Sequence, residues 1–388
     1  MNTTPRKFGR PRLSQTELKF TLARPAFKGS GFKPLPAPTG PAPFHLDLKD
    51  VIDKKLYKAI DDHNKMVFHI SGDIGGIKRP EVQQLVVDGM EKDFKHDPHQ
   101  PTADPIFAYT LGDCVYYNGE AVRYYDQFYK PYEHYNAPIF AVPGNHDGDA
   151  LAPESSLEAF VRNFCAPQPV ITPDALDIPR DAMTQPNVFW TLITPVATII
   201  GLYSNVPEGG AIHADQQAWL VTELKKARKD KALFLTMHHP IYSADDHHSG
   251  SGHMRTAVNA AIADSGRHPD IIFAGHVHDY QRFTRVVKKQ QFPYIVAGAG
   301  GYWHLHAIAR VNGQKPIPPV SMDQQGDEVT LERYVDDRHG FLRVEVDGSV
   351  VTGKYYTVPR PQESWHVPSR LADTFRFNWR KHKLLTTV

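Results

Sequence analysis

The sequence has only two cysteines, Cys114 and Cys165, which excludes a disulfide scaffold and leaves no paired-cysteine spacing for zinc or redox chemistry. It also has almost no excess charge, because 44 Lys and Arg face 43 Asp and Glu and leave a formal charge of +1. Proteins that coat nucleic acid or an acidic membrane need many uncompensated cations, so neither class is expected here. No apolar run approaches the roughly 18 residues of a membrane-spanning helix.

The beginning of the sequence lacks the apolar stretch and cleavage site of a secretory signal peptide. The expected compartment is therefore the cytoplasm, with an exported form whose leader has been removed as the alternative. Residues 1–45 are rich in Pro and basic residues and are predicted to form an extended N-terminal arm. Residues 46–360 are expected to form one catalytic domain and residues 361–388 a C-terminal tail.

Histidine, in contrast, is abundant, with 21 copies, and neutral imidazole is the commonest transition-metal ligand in proteins. Many of these residues follow apolar, strand-like runs that alternate with segments of helical period. That alternation predicts an α/β architecture in which the carboxyl ends of parallel strands share one edge. Ligands bind at such an edge because its loops vary while the strands hold them in place. The polar residues that follow the runs are Asp73, Asp113, Asn145, His146, His238, His276 and His278.

Two carboxylates, an amide and several imidazoles form a mixed oxygen and nitrogen ligand set. Such a set is typical of sites for Fe, Mn or Zn. It matches neither a thiolate site nor an all-oxygen calcium site. A single ion would leave ligands unused, so the sequence favours two metal ions. A pair of ions about 3.5–4 Å apart is typical of enzymes that displace groups at phosphorus.

Five motifs occur in order over about half of the chain: GDIG (72–75), GDCVY (112–116), GNHD (144–147), LTMH (235–238) and GHVH (275–278). They resemble the motifs of the calcineurin-like metallophosphoesterases, and are most similar to those of the purple acid phosphatases. The resemblance implies a metallophosphoesterase enzyme with a four-layer α-β-β-α sandwich, in which two mixed β-sheets are flanked by helices. Most of that superfamily has Asp-x-His in the first motif, whereas Asp73 is followed here by Ile74 and Gly75.

Tyr116 stands three residues after Asp113, as in purple acid phosphatases, where the corresponding phenolate binds ferric iron. The alternative is that Tyr116 packs beside the site without binding metal. The resemblance implies that Fe(III) is held by Asp73, Asp113, Tyr116 and His278. It implies a second, divalent ion (Fe, Zn or Mn) held by Asp113, Asn145, His238 and His276, so that Asp113 bridges the two ions.

Four further residues have catalytic roles by the same resemblance. His146 would bind the substrate phosphoryl group or leaving oxygen, and Asp147 would orient its ring. His247 and His248 would contact substrate and protonate the leaving alkoxide, or else lie in a surface loop. His239 has no assigned role, while His253, His304 and His306 are expected to be packed or solvated.

The function implied is hydrolysis of small-molecule phosphomonoesters by attack of a metal-bound hydroxide. One alternative is a divalent-metal phosphodiesterase or nucleotidase of the same superfamily, and a remote one is a non-catalytic metal-binding regulatory protein. No nucleic-acid or membrane partner is expected. The physiological substrate and the oligomeric state are left open.

Overall fold

The computed structural model describes residues 34–148, 157–204, 209–324, 326–364 and 366–386. Most of the predicted N-terminal arm, residues 1–33, lies outside the described residues. The strands are, in chain order, β1 (His45–Asp47), β2 (Lys65–Ser71), β3 (Pro105–Thr110), β4 (Ile139–Ala141), β5 (Trp190–Ile193), β6 (Ala197–Gly201), β7 (Ala232–Met237), β8 (Ile271–Ala274), β9 (Tyr280–Val287), β10 (Gln290–Ala297), β11 (Val320–Gln324), β12 (Asp327–Val335), β13 (Gly340–Asp347), β14 (Val350–Thr357), β15 (Arg370–Asn378) and β16 (Lys383–Leu385). The α-helices are α1 (Lys54–His63), α2 (Pro80–Glu91), α3 (Glu158–Phe164), α4 (Ala214–Lys226) and α5 (Gly252–Ser265).

Two mixed sheets pack face to face. One sheet has the order β1-β5-β6-β7-β8-β10-β9-β12-β11, and the other has the order β16-β15-β14-β13-β2-β3-β4. A continuous apolar core joins them, and Phe68 of β2 meets Phe234 of β7 with ring centroids 6.2 Å apart. Helix α2 packs on the outer face of the second sheet, and α4 and α5 pack on the outer face of the first. The predicted four-layer α-β-β-α sandwich is therefore confirmed.

The central strands read as unbroken apolar runs because both of their faces are covered. Every residue of β7 is buried. Pro195 lies in the turn between β5 and β6, where no backbone N–H is needed for the sheet. Strands β2, β3 and β4 are mutually parallel, and so are β6, β7 and β8. Parallel pairing brings the carboxyl ends of each set to one edge, so the loops that follow these strands lie together. No helix of the described residues is long and apolar enough to cross a membrane.

The C-terminal segment differs from the predicted tail. Strand β15 pairs antiparallel with β14 along its length, and β16 pairs with β15, so residues 370–385 extend the second sheet. Phe375 and Phe377 alternate with polar residues and are buried in the core between the sheets. This segment is therefore part of the same domain as residues 46–360, because that domain buries its apolar face.

A buried histidine in this sheet gives the fold a pH dependence. His69 of β2 is fully buried between the Tyr135 hydroxyl (3.0 Å) and Asp93 (3.1 Å). Burial lowers the pKa of His69 although Asp93 opposes the shift. The native imidazole therefore stays neutral at a pH where the unfolded chain binds a proton, and stability is lost as the pH falls below about 6.5.

We expect His69→Gln to flatten this dependence. Urea unfolding of the metal-free protein at about pH 7 and about pH 5.5 should show a smaller loss of unfolding free energy in the variant than in wild type, because the ordinary histidine pKa of about 6.5 lies within this interval. The matched control is His99→Gln, since His99 is exposed. Equal losses in wild type and His69→Gln would contradict the assignment.

Candidate metal centre

Polar side chains converge where the parallel strands end. Asp73 follows β2, Asp113 follows β3 and His276 follows β8, and all three have positive backbone φ, at 55°, 55° and 68°. Residues with a Cβ adopt this conformation at an energetic cost, and such residues cluster at functional sites. The sharp turns direct the three side chains across the same edge of the sandwich.

One group of contacts is built around Asp73, which is fully buried. One of its oxygens, Oδ1, accepts a hydrogen bond from the Tyr116 hydroxyl at 3.3 Å and lies 3.4 Å from Nε2 of His278. The other oxygen accepts from the backbone N–H of His276 at 2.7 Å. Nδ1 of His278 lies 3.1 Å from the backbone carbonyl of His304, so Nδ1–H donates there and Nε2 faces the carboxylate.

A second group adjoins it around His238 and Asn145. Nε2 of His238 lies 2.9 Å from Oδ1 of Asn145 and 3.4 Å from Oδ2 of Asp113. Nδ1 of His276 lies 3.0 Å from the same Asn145 oxygen and 3.2 Å from Nε2 of His238. Nδ1 of His238 donates to the Leu111 carbonyl at 2.8 Å. That contact fixes the tautomer and leaves Nε2 as the atom available to a ligand.

These atoms fit a bound cation. Nδ1 of His238 carries the proton that it donates to the backbone, so Nε2 of a neutral ring carries a lone pair. This lone pair faces two oxygen acceptors, Oδ1 of Asn145 and Oδ2 of Asp113. Oδ2 of Asp113 is buried and accepts no hydrogen bond within the described part of the chain. Such a cluster of facing acceptors needs a proton or a metal ion among them. Carboxylate, amide, imidazole and phenol donors together suit first-row transition ions.

The charges of the site are strongly coupled. Although burial opposes the shift, His238 and His146 lower the pKa of Asp113. Burial acts against His238 as well, yet Asp113 raises the pKa of that imidazole to about 9. Burial, together with Asp113 and Asp73, raises the pKa of Tyr116 well above its usual value. Hence a phenolate requires a strong local positive charge.

The absence of a side chain at Gly75 leaves room for the ring of Tyr116. A Cβ at Gly75 would lie 2.7 Å from a ring carbon of Tyr116 and 2.7 Å from the side-chain oxygen of Gln127. That same oxygen accepts the backbone N–H of Tyr116 at 2.9 Å, and the side-chain amide of Gln127 donates back to the Tyr116 carbonyl at 2.8 Å. The glycine in the first motif and the tyrosine in the second are therefore sterically linked.

Asp147 was expected to orient the His146 ring, but the ring has a different hydrogen-bond partner. Nδ1 of His146 donates to the carbonyl of Tyr117 at 2.8 Å. Asp147 instead accepts the backbone N–H groups of Cys114 (2.8 Å), Val115 (3.1 Å) and Gly144 (2.7 Å). Its carboxylate ties the second motif to the third. Asp147 therefore positions the loops, while a backbone carbonyl orients the His146 ring.

Histidines from two distant loops cover one side of this cluster. His248 is buried with its ring centroid 4.4 Å from that of His276. His247 stacks on His306 at 4.8 Å. His306 is itself buried, and its Nδ1 lies 3.0 Å from a carboxylate oxygen of Asp245. The burial of His306 agrees with its expected packing. The structure also brings His306 and Asp245 beside the ligand cluster, where the sequence assigned them no role.

His239 is a further residue beside the ligand cluster to which the sequence assigned no role. It is buried, its ring centroid lies 4.4 Å from that of His276, and its ligand atom groups with those of His238 and His276 within 4.8 Å. By contrast, His253 and His304 are exposed, in agreement with their expected solvation. The LTMHH sequence could have indicated His239, because two consecutive histidines follow the same buried strand.

Comparison with known families gives a match over more than half of the chain. The family model described as calcineurin-like phosphoesterase matches residues 60–280. These boundaries include all five motifs, from the loop after β2 to the loop after β8.

Individual relatives give the same picture. Purple acid phosphatase 21 of Arabidopsis thaliana is 32% identical over 144 residues, which cover 35% of this chain and 32% of that protein. Purple acid phosphatase 22 of the same plant is 33% identical over 115 residues, covering 28% of this chain and 25% of that protein. The matches thus span about a third or less of these relatives' own length. Among solved structures, GAP50, the anchor in the inner membrane complex of Plasmodium, has the same fold, with a TM-score of 0.55 at 14% identity over 81% of this chain and 89% of that one.

Proposed function

The chain belongs to the calcineurin-like phosphoesterase family, and from this premise we propose that it hydrolyses phosphomonoesters at a dinuclear metal centre like that of the purple acid phosphatases. Being a phosphoesterase follows from the family. The monoester substrate, the metal pair and the residue roles are the proposal. The observation that carries it is the position of Asp113 between the group around Asp73 and the group around His238. Its Oδ2 is buried and accepts no hydrogen bond from the described residues.

The donor set divides naturally between two ions. One ion, taken as Fe(III), would be held by Asp73, Asp113, Tyr116 and His278. The other, a divalent Fe, Zn or Mn ion, would be held by Asp113, Asn145, His238 and His276. When bound, such a pair polarises the phosphoryl oxygens and lowers the pKa of water to near neutrality.

The protein's own contribution is to orient substrate and move protons. His146 presents Nε2 to the site because Nδ1 is held by the Tyr117 carbonyl. From there it would hydrogen-bond a phosphoryl oxygen. His247 and His248 reach the site from the loop after β7, and we assign them the contact with the leaving oxygen and its protonation. Asp147 keeps the loops of the second and third motifs in register.

The direct test is a comparison of two model substrates. We expect the purified, metal-loaded protein to hydrolyse para-nitrophenyl phosphate with a much higher kcat/KM than bis(para-nitrophenyl) phosphate. The reverse preference would favour the phosphodiesterase alternative. No hydrolysis of either ester by protein that carries its metals would favour the non-catalytic alternative.

The ferric assignment has its own prediction. We expect wild type as purified to contain iron and to show a broad visible charge-transfer band, and Tyr116→Phe to lose the band while it retains the fold. Replacing the adjacent Tyr117 by Phe is the matched control and should preserve the colour. A colourless wild type that holds only Mn or Zn would remove Tyr116 from the ligand set.

A further inference from the structure

An exposed lysine lies at the rim of the metal centre on the face of a tryptophan. Nζ of Lys78 is 4.7 Å from the ring centroid of Trp303. The lysine is exposed and the tryptophan half-buried. A cation held over an indole face keeps its charge, because the ring offers a quadrupole and not a counter-ion. The pair therefore presents a positive charge to solvent.

The position of this charge is set by the metal centre itself. Tyr302 donates its backbone N–H to the carbonyl of Asp73 at 2.8 Å, which ties the loop of Trp303 to the first motif. A Cβ at Gly301 would lie 2.1 Å from the carbonyl of Ile74, so the two loops touch through their backbones. Lys78 follows Ile74 by only four residues. Both members of the pair are thus anchored to the same rigid edge.

A short series of rings connects the pair with the site. The ring centroid of Trp303 is 6.3 Å from that of Tyr302, which in turn lies 4.4 Å from that of His278. The lysine charge is therefore about two side chains away from the ligand cluster. A ligand that contacts both the metal centre and the lysine must therefore extend past the rings of Tyr302 and Trp303.

No carboxylate of the described residues forms an ion pair with Lys78 or with its neighbour Arg79, which is also exposed. A rim with unbalanced positive charge attracts an anion beyond the one that the metals bind.

We propose that Lys78, supported by Trp303, is a specificity residue that binds a second phosphate group on the alcohol portion of the substrate. The preferred substrates are then phosphate esters of alcohols that carry another phosphoryl group. This inference rests on the proposed phosphatase function, since the first phosphate must occupy the metal centre.

Matched esters isolate the second charge. The monophosphate and the bisphosphate of the same diol share the scissile bond and differ only in the remote group. Butanediol and octanediol place that group at two different distances. After correction for the two equivalent esters, we expect wild type to prefer one of the bisphosphates over its monophosphate by about fivefold in kcat/KM, the effect of one charge-assisted contact at a solvated rim. High salt should reduce this preference, because the contact is electrostatic and exposed.

Lys78→Met should abolish the preference mainly by raising KM for the bisphosphate, whereas Lys78→Arg should keep most of it. The control is Lys225→Met, which replaces an exposed lysine in the last turn of α4. If wild type hydrolyses all four esters without preference, or if Lys78→Met retains the preference, the phosphatase proposal stands and the role of Lys78 is refuted. If metal-loaded wild type hydrolyses none of them, both proposals fall.

Discussion

Replacing Asp113 by Asn should remove most of the bound metal and nearly all hydrolysis. Asp113 is the residue that we assign to both ions, and its two oxygens have different partners. Oδ1 accepts the backbone N–H of His146 at 2.8 Å, while Oδ2 faces Nε2 of His238 at 3.4 Å. The asparagine side chain can accept the His146 N–H only with its amide oxygen. Its NH₂ group then takes the place of Oδ2 and points at the metal position. The loss of metal affinity should exceed the roughly 10–100-fold that follows loss of a hydrogen-bonding partner of a ligand.

The same change should leave the metal-free protein folded. Asp113 is a buried carboxylate beside Asp147, and burial together with the Asp113 charge raises the pKa of Asp147 to about 7. Removing one of the two charges relieves that repulsion. Thermal unfolding with and without added metal separates the effects, since a ligand that binds only the native state raises the midpoint. We expect metal to raise the midpoint of wild type and not of Asp113→Asn. A variant that still gains stability from two equivalents of metal would remove Asp113 from the bridging position.

The parts of this site that the sequence predicted are those set by strand ends. Residues such as Asp73 and His276 follow buried strands directly, and parallel pairing brings such positions to one edge whatever the intervening chain does. The paired strands around Pro195 were predictable for a similarly local reason. Proline cannot donate to a sheet ladder, and Pro195 lies in the turn between β5 and β6.

The contacts that were not predicted depend on the backbone or on irregular loops. The partner of His146 is the carbonyl of Tyr117, and a carbonyl has no residue identity that a motif could reveal. The Asp245–His306 contact joins residues 61 positions apart through segments without a regular period. The C-terminal strand β15 is a different case, because the alternation of Phe375 and Phe377 was present in the sequence and indicates a half-buried strand.

Replacing His146 by Ala should reduce kcat by about 10²–10⁴-fold, the usual contribution of a positioned proton donor or acceptor. The metal content should stay near that of wild type. The reason lies in how His146 is attached to the site, because its contact with Asp113 is made by the backbone N–H, which alanine retains. Only the imidazole is lost, with its hydrogen bond to the Tyr117 carbonyl and its packing on Tyr116 at 4.6 Å.

His146→Asn distinguishes a substrate contact from a structural role. An asparagine amide can donate to the Tyr117 carbonyl in place of Nδ1, but it has no atom at the position of Nε2. If the ring only braces the loop, Asn should restore activity. If Nε2 binds the phosphoryl group in the transition state, Asn should be as slow as Ala, and kcat and kcat/KM should fall together. Metal analysis of both variants completes the test, because depletion of metal in His146→Ala would place this residue among the ligands.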